Sequence, residues 1–430
     1  MKIKVKEKSY EEALKLSEEL SLKPKKPNIL FRTILAVASL PDIWATKFKL
    51  NKIGMERLKK GEPALYLMNH SCFLDLKIAS TQLYPKPFNI VCTSDGFVGK
   101  RWLMRNLGCI PTNKFVTDTK LVRNMQFAFK TLKSSVLMYP EASYSFDGTE
   151  TPLPDSLGKC IKLLQVPVVM IKTYGAFHRD PLYNGLRLRK VKVTADMEYV
   201  LSVDEINQMS PAEIQEKINA CFKLDNFKWQ QENGIIVAES FRAEGLNRVL
   251  YKCPHCKLEG KMQASGSNIK CTACGKEYTL TEQGFMQALN GETEFSHIPD
   301  WYSWEREAVK NEIEQGNYRL EKEVDIYMLV NMKAIYKVGE GKLLHTSEGF
   351  SLVGCDGKLN YSQKPTASYG LYADYLWYEI ADTICIGDKK ALYYCFPKDN
   401  EDIVAKTRLA AEEMYKLAKR KLHEKQAVAE

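Results

Sequence analysis

The stretch Ala64-Leu65-Tyr66-Leu67-Met68-Asn69-His70-Ser71-Cys72-Phe73-Leu74-Asp75 decides how this chain is read. Residues 64–68 are an unbroken apolar run, the pattern of a strand buried on both faces of a parallel sheet. His70 and Asp75 follow directly. An imidazole is the side chain best suited to take a proton near neutral pH. A nearby carboxylate can fix its tautomer and stabilise its protonated form. In open α/β sheets, sites form beyond the carboxyl ends of the strands, where His70 would sit. For the bare pattern, a core His beside a helix-capping Asp is the competing reading, so the rest of the chain has to decide.

Working outward, apolar runs alternate with helical patterns from about residue 60 to 200. Candidate strands are 64–69, 89–94, 135–140, 166–174 and 190–197. Between them lie candidate helices at 73–83, 97–107, 118–133 and 155–165. In the third helix Leu121, Met125, Ala128, Phe129 and Leu132 form one apolar stripe. This alternation predicts an α/β domain with a mostly parallel sheet and flanking helices. Helices continue to about residue 247, with Ser210-Pro211-Ala212-Glu213 as a start signal. Residues 322–397 are rich in Tyr, Val and Ile, with turn signals at Gly339-Glu340-Gly341, Glu348-Gly349, Asp356-Gly357 and Gly387-Asp388. That spacing predicts antiparallel strands, closed by one helix from about 399 to 422.

Cys253-x2-Cys256 and Cys271-x2-Cys274, fourteen residues apart, have the spacing of a zinc ribbon. Four thiolates on two short turns can close a tetrahedral shell, with structural Zn²⁺ the expected ion and iron the alternative. The segment lacks an aromatic-rich basic face, so no nucleic-acid partner is expected. The other eight of the 12 Cys are scattered. Without a secretory signal they read as reduced thiols in a cytoplasmic compartment.

The formal net charge is +9, and residues 1–60, with 15 Lys/Arg against 7 Asp/Glu, carry nearly all of the excess. A basic segment fits an anionic lipid surface. Within it, residues 29–40 are apolar, and Pro41 is expected to end that helix. The run is shorter than the roughly 20 residues that span a bilayer. Flanking lysines, Trp44 and Phe48 suit a membrane interface. A helix packed on the domain core is the other reading. The expected organisation is a basic interfacial segment (1–60), a catalytic domain (61–247), a zinc ribbon (248–282), a helical linker (283–321) and a β-rich region with a terminal helix (322–430).

Three further blocks bear on His70. A helix carrying Lys100, Arg101 and Arg105 leads into Gly108-Cys109-Ile110-Pro111-Thr112-Asn113-Lys114. Arg101 and Arg105 share a helix face and, with Lys114, could hold a phosphate. Tyr139-Pro140-Glu141-Ala142-Ser143-Tyr144-Ser145 ends a buried strand with a carboxylate and hydroxyls, and Val166-Pro167-Val168-Val169 begins another. Cys72 is a competing nucleophile beside the His.

In order and spacing these four blocks resemble the motifs of the glycerolipid acyltransferases, of which the 1-acylglycerol-3-phosphate acyltransferases are best known. Asn69, His70 and Asp75 match the first motif, Glu141 and Ser145 the third, and Pro167 the fourth. Lys114 stands where the family usually has Arg, Ala142 where it has Gly, and Tyr144 where it has Arg. The resemblance implies that His70 is the general base and Asp75 its partner. It also implies that Lys114, Glu141 and Ser145 bind substrate, and Arg101 and Arg105 are expected to join them from their shared helix face. The donor would be acyl-CoA or acyl carrier protein. The acceptor would be a lyso-glycerolipid, with 1-acylglycerol-3-phosphate expected and a lyso-glycolipid the alternative. Such an enzyme of phospholipid synthesis would bind membrane lipids peripherally, on the inner face of the cell membrane. The β-rich region resembles pleckstrin-homology-like domains in architecture. A non-catalytic scaffold built on the ribbon and this β region is the remaining alternative.

Overall fold

The computed structural model describes residues 3–18, 20–116, 118–399 and 401–429. Its centre is a seven-stranded sheet in the order Lys49–Ile53, Thr194–Leu201, Val168–Tyr174, Leu65–Met68, Ser135–Met138, Phe88–Thr93, Cys109–Thr112. The strands from Val168–Tyr174 to Cys109–Thr112 are mutually parallel. Thr194–Leu201 runs antiparallel to its neighbour, and Lys49–Ile53 follows it at the edge. Leu65–Met68 lies centrally and is buried throughout, as its apolar run requires.

The expected strands and helices are present, with ends moved by a few residues. Two strands are additional. Cys109–Thr112 is hidden by Gly108 and Pro111. Lys49–Ile53 lies in the segment expected to be interfacial. A polar, exposed strand fits an edge position, where one side of the ladder stays open.

The helix Ile29–Ala45 is capped by Asn28, whose side chain accepts from the Leu30 amide at 2.9 Å. Pro41 lies inside this helix rather than ending it. Proline removes one ladder bond, and packing keeps the helix going. Beyond Pro41, Ile43 is buried, and Asp42 is bonded to Lys77 (2.5 Å) and Arg179 (2.6 Å). The helix therefore packs on the domain through Ala36, Ser39 and Ile43, while Ile29, Leu30, Ile34, Val37 and Trp44 face outward. The packed face fits the reading of a helix on the domain core.

Residues 262–288 form a four-stranded antiparallel sheet. Residues 283–321 are not a linker. Met286–Ala288 is the fourth ribbon strand. The helix Ile298–Glu314 buries Ile298, Trp301, Tyr302, Glu305, Val309 and Ile313 along one stripe. One hydrophobic core joins Phe146 and Phe177 to Tyr278, Trp301, Ile384 and Leu409, so the α/β domain, ribbon and C-terminal region are packed as one. The last region contributes seven strands, from Leu320–Leu329 to Leu392–Pro397, to an eight-stranded sheet and is followed by the helix Val404–Ala429. Val5–Glu7 adds to it, pairing in parallel with Ile335–Thr346, so the first described residues are tied to the last domain.

Candidate active site and metal centre

Asn69 closes the central strand. Its side-chain oxygen accepts from the Thr173 amide (2.8 Å) and its amide donates to the Thr173 carbonyl (3.1 Å), locking two strand ends together. The next residue, His70, is thereby held at the carboxyl edge of the sheet. Its Nδ1 lies 3.2 Å from Oδ2 of Asp75. Asp75 is wholly buried in the first turn of the helix Leu74–Gln82. Oδ2 also accepts from the backbone amides of Ser71 (2.7 Å) and Cys72 (3.0 Å). These amides satisfy the buried carboxylate oxygen. Because the carboxylate only accepts, the neutral ring carries its hydrogen on Nδ1. Nε2 then keeps its lone pair, and among the described residues it has no hydrogen-bond partner.

The ring of His70 is stacked on Tyr139 (4.2 Å between centroids, 26° between planes) and leans on Tyr144 (4.5 Å). Burial holds the His70 pKa below its ordinary value, and Lys114 adds to that. Asp75 opposes it. His70 is thus kept unprotonated near neutrality, the state a general base needs.

Glu141 is bonded to two backbone amides. One carboxylate oxygen accepts from the His70 amide (2.7 Å) and the other from the Thr151 amide (2.8 Å). It fixes the backbone that carries the base, and it lines the cavity at His70. Burial raises its pKa to about 7 against the lowering effect of these two amides. Ala142, next to it, has φ of 59°. That left-handed turn is the physical reason glycine suits this position. Ser145 donates to the Thr149 carbonyl (2.6 Å) and accepts from the Gly148 amide (3.0 Å), closing the following turn. Its own amide reaches the His70 carbonyl at 3.2 Å.

The cationic residues do not gather. Lys114 follows the strand Cys109–Thr112 toward the His70 edge, and its Nζ lies 4.0 Å from the Tyr372 ring centroid. Arg105 ends a helix that leads into the amino end of that strand, across the sheet from His70. Among the described residues neither Arg101 nor Arg105 has a side-chain hydrogen bond or ion pair. They flank Trp102, which is exposed and edges against Phe31 of the N-terminal helix. The phosphate cradle expected of Lys114, Arg101 and Arg105 together is therefore not formed. Cys72 is buried, donates to the Ala176 carbonyl (3.3 Å), and has its thiol pKa pushed well up by burial. A protonated, enclosed thiol is a poor nucleophile.

The sequence reading missed the part played by the C-terminal region. Tyr369 donates to the Pro140 carbonyl (3.2 Å), Arg408 to the Tyr144 carbonyl (3.1 Å), and Tyr415 to Asp155 (2.6 Å). Tyr372 donates to Asp95 (2.6 Å). These contacts fall on the loop after the strand Ser135–Met138 and around Lys114, so the β region covers one side of the site.

A family model for acyltransferase domains matches residues 49–172, which span the four motifs. This segment is an acyltransferase domain. A crystal structure of the 1-acyl-sn-glycerophosphate acyltransferase PlsC from Thermotoga maritima is similar to this chain. It is 14% identical with a TM-score of 0.34, over 44% of this chain and 78% of that one. No curated protein sequence matches significantly.

Cys253, Cys256, Cys271 and Cys274 bring their sulfurs within 4.8 Å of one another. Two of the separations are 3.8 Å (Cys253 to Cys274) and 3.7 Å (Cys256 to Cys271). A tetrahedron with Zn–S bonds near 2.3 Å has edges of about 3.8 Å, so the four thiolates fit Zn²⁺. His255 is exposed and paired with Glu294 (3.2 Å), outside this set. No ribbon residue lines the cavity at His70.

Proposed function

We propose that this chain is a membrane-peripheral O-acyltransferase that moves a fatty acyl group from acyl-CoA or acyl carrier protein to a hydroxyl of a lyso-glycerolipid. The observation that carries the reading is the His70–Asp75 pair, with Nδ1 committed to a buried carboxylate and Nε2 free. Nε2 takes the proton of the acceptor hydroxyl as its oxygen attacks the thioester carbonyl. The C–O bond forms, the C–S bond breaks, and the departing thiolate takes the proton back from the imidazolium. The products are an ester and a free thiol, with no acyl-enzyme. Such general-base assistance contributes roughly 10²–10⁴-fold in rate.

The outward face of the helix Ile29–Ala45, with exposed Trp44, Trp102 and Phe73, supports contact with a lipid surface. The unpaired Arg101 and Arg105 beside it fit anionic head groups, which makes them membrane contacts in this reading. None of the described helices is long and apolar enough to cross a membrane. The proposed location is the cytoplasmic face of the cell membrane, in lipid synthesis. The four-Cys centre is a structural Zn²⁺ site that buttresses the helix Ile298–Glu314, where Trp301 Nε1 donates to the Lys252 carbonyl (3.0 Å).

Purified full-length protein, given long-chain acyl-CoA and a panel of lyso-lipids, tests the reading by release of free CoA thiol. Thiol release that needs a lyso-lipid and yields its acylated product is expected. Release unaffected by any acceptor would contradict it.

A further inference from the structure

The segment from Tyr139 to Ser145 brings two rings to His70 and is tied down from two directions. On the acyltransferase side, Glu141 accepts from the His70 amide (2.7 Å), and the Ser145 amide donates to the His70 carbonyl (3.2 Å). Inside the segment one backbone bond closes a turn, from the Ala142 amide to the Tyr139 carbonyl (3.1 Å). The carbonyls of Pro140 and Tyr144 meet their donors from the C-terminal region, the first from the Tyr369 phenol (3.2 Å) and the second from Arg408 Nη1 (3.1 Å). Among the described residues no other donor reaches either carbonyl.

Both donors are themselves fixed. Arg408, on the helix Val404–Ala429, is 4% exposed and lies over the Phe146 ring, 4.3 Å from its centroid. Its Nε donates to Glu412 (3.1 Å), which Arg306 of the helix Ile298–Glu314 holds in turn at 2.8 Å. Tyr369 edges against Phe115 (5.2 Å). The consequence reaches the imidazole. The His70 ring has one hydrogen bond, from Nδ1 to Asp75, and a ring so held can still turn about that bond. The contacts with Tyr139 (4.2 Å) and Tyr144 (4.5 Å) oppose the turn, aim Nε2 and keep water from the ring. Each of those two tyrosines stands at or beside a carbonyl that the C-terminal region holds.

We propose that Tyr369 and Arg408 are positioning residues for acyl transfer: through the Pro140 and Tyr144 carbonyls they hold the Tyr139 and Tyr144 rings against His70, which makes the C-terminal region a working part of the catalytic centre. The proposal rests on the acyltransferase reading above. Both residues act through the loop and not on the reacting atoms. Tyr144 gains a task where the related motifs carry Arg, since its ring packs on the imidazole.

The test uses full-length protein and two readouts. One is kcat and KM for acyl-CoA with a lyso-lipid acceptor. The other is the His70 pKa from an NMR titration of its imidazole, with the resonance assigned by its loss in His70→Gln. Tyr369→Phe removes one hydroxyl. Arg408→Lys keeps a charge opposite Glu412 and loses the planar fork that serves Glu412 and Tyr144 together. Each should lower kcat about three- to tenfold and leave KM within about twofold, because a misaimed base slows chemistry more than binding. Loosened rings admit water, which favours the charged imidazole, so the His70 pKa and the acid limb of kcat/KM should both rise. Tyr144→Ala leaves the Arg408 bond to the backbone in place and should move both readouts further in the same direction. A general loss of stability would lower Tm without moving the His70 pKa. If Arg408→Lys fails to fold, Tyr369→Phe and Tyr144→Ala decide. Folded variants with parental kcat and an unmoved His70 pKa would overturn the proposal, and the acyltransferase reading would stand as long as His70→Gln is inactive. Acyl transfer that survives His70→Gln would remove both.

Discussion

Replacing Asp75 by Asn removes one charge and almost no volume. With its oxygen at the Oδ2 position, the carboxamide can still accept from the Ser71 and Cys72 amides and from His70 Nδ1. Its NH₂ then faces the Thr173 hydroxyl, which can accept in place of donating to Oδ1. Folding should therefore survive, with a change in Tm of a few degrees. What disappears is the attraction between the carboxylate and the imidazolium that forms as the acceptor proton is taken. At the observed 3.2 Å and an effective dielectric near 20, that attraction is roughly 5 kcal/mol. The His70 side chain is 22% exposed, and water screens part of it. A loss of about 3–4 kcal/mol remains, or 10²–10³-fold in kcat. The pH profile gives a second reading. Asp75 raises the His70 pKa, so its removal should move the acid limb of kcat/KM to lower pH. Steady-state release of CoA thiol measures both. A variant within threefold of the parent in kcat, with an unmoved acid limb, would refute the role assigned to Asp75.

Three other outcomes follow from the same geometry. Glu141→Gln can satisfy only one of the two amides now held by the carboxylate, so it should lower stability by about 1.5–3 kcal/mol in denaturant unfolding and reduce kcat by displacing His70. Ala142→Gly relieves a left-handed alanine, and the midpoint of denaturant unfolding should rise by the equivalent of about 1 kcal/mol. Chelation of the bound metal, or Cys253→Ser, should lower the Tm of the whole chain and not of the ribbon alone, because the ribbon core continues through Trp301 into both neighbouring regions. A calorimetric trace showing only a small separate transition would argue against that.

The His70–Asp75 pair was legible because its signals are local. An apolar run of strand length fixes the carboxyl edge, and His70 and Asp75 follow within one turn of it. The four cysteines were legible for the same reason, since two short knuckles set the sulfur geometry. What lay out of reach depends on contacts between distant residues. Nothing in the spacing of Tyr369, Tyr372, Asp374 or Arg408 marks them as neighbours of Lys114 and Tyr144, because strand pairing and domain packing bring them there. The bonds of Glu141 to the His70 and Thr151 amides were out of reach too, because backbone amides carry no sequence signal. Arg101 and Arg105 share a helix face as expected, but that helix carries Arg105 away from the His70 edge. Asn69 and Thr173 could have been paired from sequence by noting that each closes a buried strand of one parallel sheet.

The measurement that bears most directly on the account is acyl transfer by the His70→Gln variant of the full-length protein, compared with the parent at matched Tm and metal content. The variant should fold and bind metal as the parent does, because the His70 backbone contacts to Glu141 and Ser145 remain. It should lose 10²-fold or more in kcat, the contribution of a general base. A folded, metal-replete His70→Gln protein that transfers acyl groups at the parental rate would contradict the central claim.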